Sequence, residues 1–199
     1  MKSILISMLC YVTWLPVANG QRLQDPVYAG RGPDVEASVG YSYVNAGVPS
    51  GDRISLNGVD SGMTAYFRPR FGLCIDLGYA RAANVLGSNK HSDMLDYMAG
   101  PVFSPVKRRK QSIYIRGLVG GARISGTTPA ENGGYVTGFA AQFAWSIGIG
   151  AQYQVSHSVA VRAGFDSLHT CYFNSSERLQ GQENAHATIT FVYLFNRGR

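Results

Sequence analysis

Charge is scarce in this sequence. Asp, Glu, Lys and Arg make up 15% of its 199 residues, against about 25% in ordinary soluble domains. Long apolar runs are missing too. After the first twenty residues no segment stays apolar for the roughly 20 residues a membrane helix needs. Cysteine is nearly absent. Of three cysteines, Cys10 lies in the N-terminal apolar stretch. Cys74 and Cys171 are too few for a disulfide framework and read as isolated thiols. The histidines, among them His91, His157 and His186, are scattered without metal-ligand spacing. The glycines of "GARISG" and "GIGAQY" open no helix, so no phosphate loop is indicated. Neither a metal nor a cofactor is expected. The net charge is +6, but the excess is local, at Lys107, Arg108, Arg109 and Lys110 and at Arg197 and Arg199. No basic face interleaves with aromatics, which argues against nucleic-acid binding.

What is present is alternation. In "FAAQFAWSIGIGAQYQV", Phe139 to Val155, every second residue is apolar or aromatic and the intervening ones are Ala, Gln, Ser or Gly. A period of two means a strand with two unlike faces. Seven further segments behave alike. Val35, Ala37, Val39, Tyr41 and Tyr43 oppose Glu36, Ser38, Gly40 and Ser42. Val59, Met63, Ala65 and Phe67 oppose Asp60, Gly62 and Thr64. Phe71, Leu73, Ile75, Leu77 and Tyr79 oppose Cys74, Asp76 and Gly78. Leu95, Tyr97, Ala99 and Phe103 oppose Asp96, Met98 and Gly100, with Pro101 predicting a bulge because it cannot donate to a ladder. The segment from Ser112 is the least clear, with Ile113, Ile115 and Val119 opposite Arg116. Val159, Val161, Ala163 and Phe165 oppose Arg162, Gly164 and Asp166. Ala185, Ala187, Ile189, Phe191, Tyr193 and Phe195 oppose His186, Thr188 and Thr190.

The connections are expected to alternate long and short: long near 45–55, 82–93, 126–137 and 169–183, short at 68–70, 105–111 and 156–158. All long loops would then leave one end of an up-and-down structure. The N-terminus reads as an export signal over 1–20. Lys2 supplies the charge, Ile4 to Val17 the apolar stretch, and Ala18-Asn19-Gly20 a cleavage site before Gln21. Residues 21–33 read as an extended lead-in, 34–195 as the strand-bearing part, and 196–199 as a short tail.

Two-faced strands fit a soluble sandwich, with the apolar face inward, or a membrane barrel, with the apolar face toward lipid. Three observations favour the barrel. The second face carries Gly, Ser, Ala and Thr, which suit a crowded lumen. Aromatics such as Tyr41, Tyr43, Tyr66, Phe67, Phe71, Tyr79, Phe103, Tyr153, Tyr193 and Phe195 gather near strand ends, as in interfacial girdles. The even strand count, the loop pattern and the export signal agree with one another. The expected fold is all-β, an eight-stranded antiparallel up-and-down transmembrane β-barrel in the outer membrane.

The runs "MLDYMAGPVFSP", "IYIRGLVGGARIS", "AWSIGIGAQYQVSHSVAVRAGFDSL" and "ATITFVYLF" resemble the small eight-stranded OmpA/OmpX-like outer-membrane β-barrel family. The resemblance implies that Phe195 is the terminal aromatic read by the barrel-assembly machinery, although here four residues follow it. It carries no peptidoglycan-binding domain to this chain.

Inside such a barrel the inward charges are Glu36, Asp60, Asp76, Asp96, Arg116, Arg162 and Asp166. Isolated charges there are costly, so they are expected to pair. They form either a gate that passes ions or, in the preferred reading, a static network replacing a core. Arg162 and Asp166 lie four apart on one face, so their partners should come from neighbouring strands. Ser167 and His169 beside Asp166 raise a rim lipid-modifying enzyme, but "DSLHT" does not match the expected deacylase pattern. Tyr172 and Phe173 in the last loop offer an adhesive patch or a girdle. Arg81 and Arg123 could meet lipopolysaccharide phosphates. The expected role is structural or interactive, through the loops, without catalysis and as a monomer among outer-membrane lipid and lipopolysaccharide. The alternatives are a narrow or gated pore, the rim enzyme, and a secreted soluble sandwich.

Overall fold

The computed structural model describes residues 34–48, 51–108, 110–129, 135–170 and 182–195. The expected signal, lead-in and tail, together with Cys171, Tyr172 and Phe173, lie outside them.

Eight strands follow in chain order: β1 (Asp34–Gly47), β2 (Arg53–Tyr66), β3 (Phe71–Ala82), β4 (Ser92–Lys107), β5 (Gln111–Pro129), β6 (Tyr135–Gln154), β7 (Val159–Thr170) and β8 (Gln182–Phe195). Each pairs antiparallel with the next, and β8 returns to β1 through Val35↔Phe195 to Asn45↔Ala185, closing the barrel. Even the shortest strands, of 12 residues, exceed the roughly 9–11 that cross a bilayer at a tilt. Closure leaves no ladder edge in the membrane zone, where an unpaired amide would cost several kcal/mol.

The alternation resolves into lipid side and lumen side. Val39, Ile75, Ile147, Ile189 and Phe191 stand outward and exposed, the last at 67%. Small and polar residues point in and are buried. No helix among the described residues is long and apolar enough to cross a membrane; the strands do the crossing.

Four expectations change. Pro101 pairs within register, opposite Leu73 on β3. The irregularity falls later, between Phe103 and Val106 of the β4–β5 ladder. The missing amide is absorbed where Gly100 and Pro101 have no partner on β5, without a shift on either side. The first loop is short, because β1 and β2 run on to Gly47 and Arg53. Val48 N–H donates to Asp52 O, and Gly51 takes φ 84°, closing a tight turn. Long and short connections therefore do not alternate without exception. The segment 126–137 is mostly strand: β5 and β6 pair out to Pro129↔Tyr135. Finally, Tyr66 does not join the girdle. It points into the lumen and packs with Val102 and Tyr114.

The lumen is layered. Toward the loop end an apolar cluster includes Val44, Leu56, Met94, Leu118 and Leu168, all essentially inaccessible. The charges follow. Toward the turn end lie the Tyr66 cluster and a second one of Ala160, Val192 and Leu194.

Candidate functional site

Two regions carry the chemistry. The first is the lumen. Arg116 on β5 donates from Nε to Asp166 Oδ1 and from Nη2 to Asp166 Oδ2, both at 2.8 Å, and from Nη1 to Asp76 Oδ1 at 3.1 Å. Asp76 is on β3 and Asp166 on β7, so one guanidinium ties strands on opposite sides of it. A planar fork meeting a carboxylate in this way is the strong form of an ion pair. Arg162 on β7 donates to Glu36 Oε2 at 2.5 Å and, from Nε, to Gln152 Oε1 at 2.9 Å. Its guanidinium also sits 5.1 Å from the Tyr114 ring centroid. All these groups are buried.

The seven inward charges therefore fall into two separate networks and a remainder. Arg116 gathers Asp76 and Asp166; Arg162 gathers Glu36. Asp60 and Asp96 join neither through a hydrogen bond. Oδ2 of Asp60, Asp76 and Asp96 finds no partner among the described residues. Asp60 on β2 and Asp96 on β4 are both opposite Gly78 of β3. The Asp96 carboxylate lies over Gly78, 2.5 Å from where a Cβ would stand, a place only glycine leaves open.

Sequence reasoning missed Gln152 and Tyr114, which complete the Arg162 network. Both sit on the inward parity of their strands, a signal available from Arg116 and Ser146, but neither carries the charge that marks a network member in the sequence. It also missed the contact of Ser42 Oγ with His186 Nε2, 2.9 Å across the β1–β8 closure. Among the described residues no group of three metal-type ligands assembles.

The rim constellation does not form. Asp166 points inward to Arg116, whereas Ser167 and His169 lie outward, and His169 stacks on Trp145 at 5.1 Å between centroids. Phe195 pairs with Val35 and packs edge-on against Tyr193, 4.7 Å apart. Arg81 pairs with Asp93 at 3.5 Å, and Arg123 covers the Phe139 ring at 5.2 Å.

The second region is the β5–β6 hairpin. The β6–β7 ladder starts at Ala144↔Thr170, and the β4–β5 ladder ends at Ser92↔Gly126. Beyond these points Tyr135 to Phe143 of β6 pairs only with β5. Its other edge has no strand beside it among the described residues. Phe139 is 74% exposed, Phe143 61% and Val136 60%. A groove of about 150 Å³ runs along the hairpin between Ile124, Gly126, Thr128, Val136, Gly138 and Phe139.

No protein-family model matches the sequence, and no curated protein matches it. Solved structures do resemble the fold. Ail, the attachment invasion locus protein of Yersinia pestis, solved in complex with the heparin analogue sucrose octasulfate, superposes with a TM-score of 0.59 at 15% identity, over 83% of this chain and 100% of that one. Neisserial surface protein A gives 0.63 at 9% identity, over 80% and 96%. The N-terminal β-barrel domain of Pseudomonas aeruginosa OprF gives 0.52 at 12%, over 83% and 100%. At such identities what is shared is the closed eight-stranded fold.

Proposed function

We propose that this chain, an outer-membrane β-barrel of the small eight-stranded kind, is a surface-contact protein whose contact element is the β5–β6 hairpin. In such barrels the short turns face the periplasm and the longer loops the exterior, so the hairpin projects outward from the cell. The observation that carries the reading is the edge from Tyr135 to Phe143, which has no strand beside it among the described residues. Proteins ordinarily blunt a free edge with lysine, proline, a bulge or brevity. This one runs for nine residues, "YVTGFAAQF", with neither charge nor proline. Its amides and carbonyls offer main-chain pairing to an extended segment of another protein, and the adjacent groove offers a place for an apolar side chain. The lumen supports this role by being rigid: the two arginine networks tie β1, β3, β5, β6 and β7 together.

The heparin analogue seen with Ail suggests a different partner, a sulfated polysaccharide, but the hairpin edge offers no cation for sulfate. Arg123 is the nearest and is laid over Phe139. A conducting lumen fits less well than a contact role. The apolar layer of Val44, Leu56, Met94, Leu118 and Leu168 lies between the charges and the loop end, and such a constriction excludes water and ions.

The test is attachment. Cells expressing the barrel are settled on protein-coated and on heparin-coated surfaces, beside cells expressing a Phe139→Lys, Ala141→Lys variant. The variant is expected to keep its heat-dependent gel shift and to lose binding to protein. Equal attachment by variant and parent would remove the hairpin from the account.

A further inference from the structure

The arginines of this barrel divide into two groups. Arg116 and Arg162 are held by carboxylates in the lumen. At the loop end Arg53 bonds to Asn45 and to Glu183 O, Arg81 to Asp93, and Arg123 covers Phe139. The remaining three described arginines are Arg68, Arg70 and Arg108. Their side chains have no hydrogen-bond, ion-pair or ring partner among the described residues, and all three are exposed. They share one end of the barrel and one side of it. Arg68 and Arg70 form the β2–β3 turn, and Arg108 lies with Lys110 in the β4–β5 connection. Ser104 N–H donates to Arg70 O at 2.8 Å, which joins the first turn to β4. The third turn, on the other side, contains His157 and no cation. The one carboxylate at this end outside the Arg162 network, among the described residues, is Asp34 at the start of β1.

The height of the patch is fixed by its neighbours. Phe67 and Phe71 are exposed on the lipid side, and Phe71 packs on Phe103 with centroids 4.6 Å apart. Aromatic rings of this kind sit at the headgroup level. Arg68 and Arg70 directly adjoin Phe67 and Phe71 in the chain, at the depth of lipid phosphates, and Arg108 and Lys110 lie in the neighbouring connection on the same side. A long cationic side chain there lays its stem on apolar surface and its head in the polar layer.

We propose that Arg68, Arg70, Arg108 and Lys110 form a docking site for the phosphate headgroups of anionic phospholipid in the periplasmic leaflet. Charge complementarity identifies the occupant: four cations without side-chain partners among the described residues face a layer whose ionised groups are phosphates. The site is independent of the hairpin and takes nothing from it. Among the described residues the β6–β7 turn at the same rim carries no such cluster.

The test reads lipid selectivity at the barrel perimeter. The folded full chain is reconstituted in phosphatidylcholine vesicles with spin-labelled phosphatidylglycerol or spin-labelled phosphatidylcholine, and the motionally restricted fraction of each label is compared. The parent is expected to prefer phosphatidylglycerol about threefold, and to lose the preference as salt rises from about 0.1 M to about 1 M. Arg68→Gln with Arg70→Gln, and separately Arg108→Gln with Lys110→Gln, should each lower the preference, and all four together should abolish it. Each variant's heat-dependent gel shift verifies folding, and either double variant alone suffices if the quadruple one fails to fold. Arg81→Gln with Arg123→Gln, at the other end, should leave the preference intact. Inorganic phosphate at matched ionic strength should not compete. The proposal is overturned by an indifferent parent, by a preference that survives in the folded variants, by its loss in the loop-end pair, or by displacement with inorganic phosphate, which would make this an ion site rather than a membrane contact.

Discussion

Arg116 and Asp166 are joined by two parallel hydrogen bonds of 2.8 Å that pass over a glycine. Gly148 of β6 pairs with Arg116 on one side and with Asp166 on the other. The two charges are therefore second neighbours, two strands apart, and the contact exists because nothing rises from the strand between them. A Cβ on Gly148 would run into the Asp166 carboxylate.

Gly148→Ala is accordingly expected to destabilise the barrel by about 2 kcal/mol, the usual range for overpacking. Gly138→Ala, whose Cβ would meet nothing within 4 Å, should change little. Urea titration of the folded band on unheated gels compares the two. Equal midpoints would mean that the carboxylate moves aside at no cost.

Removing one partner of the pair should cost more than removing both. Asp166→Leu leaves Arg116 buried with only Asp76, and losses of about 3–5 kcal/mol accompany such orphaned charges. The double variant Arg116→Leu, Asp166→Leu should recover part of the loss. A double-mutant cycle on the same titration reads the coupling, and a coupling near zero would mean that the bidentate bond contributes nothing.

The apolar layer toward the loop end predicts electrical silence. In planar bilayers the parent should show no stable conductance steps. Leu56→Ser with Leu118→Ser and Leu168→Ser should admit water and produce them. Steady steps from the parent would contradict the seal.

Cys74 is buried in the lumen at 4% exposure. In a Cys171→Ser background the folded barrel should resist a membrane-permeant maleimide. It should then label once heated in SDS. Labelling before heating would place the thiol outside the lumen.

Strand number, the identity of both faces and the inward charges were legible because lipid imposes one rule on every strand: apolar outside, anything that fits inside. Where lipid ends, the rule ends. At the tip of the β5–β6 hairpin, alternation from Phe139 onward marks a strand, whereas 126–137, rich in Gly and Thr, reads as a loop although β5 and β6 pair out to Pro129↔Tyr135. Tyr66 illustrates a related failure. It continues the inward parity of Thr64, but an aromatic near a strand end reads as girdle until the register is known. The pairing of charges was also hidden. Arg116 reaches a strand two places away only because the barrel is narrow and Gly148 is bare, and neither can be read from spacing along one strand.

The seam between β1 and β8 has a consequence in time. Val35 bonds into the ladder beside Phe195, so the final seam joins positions separated by nearly the whole barrel sequence. Loop-closure entropy is largest for such a contact, and structures dominated by distant pairings form slowly. Until the last strand arrives, β1 is an open edge and the lumen arginines lack walls. A half-built form would leave both without partners, so closing the ring is expected to be the slow, cooperative step of folding.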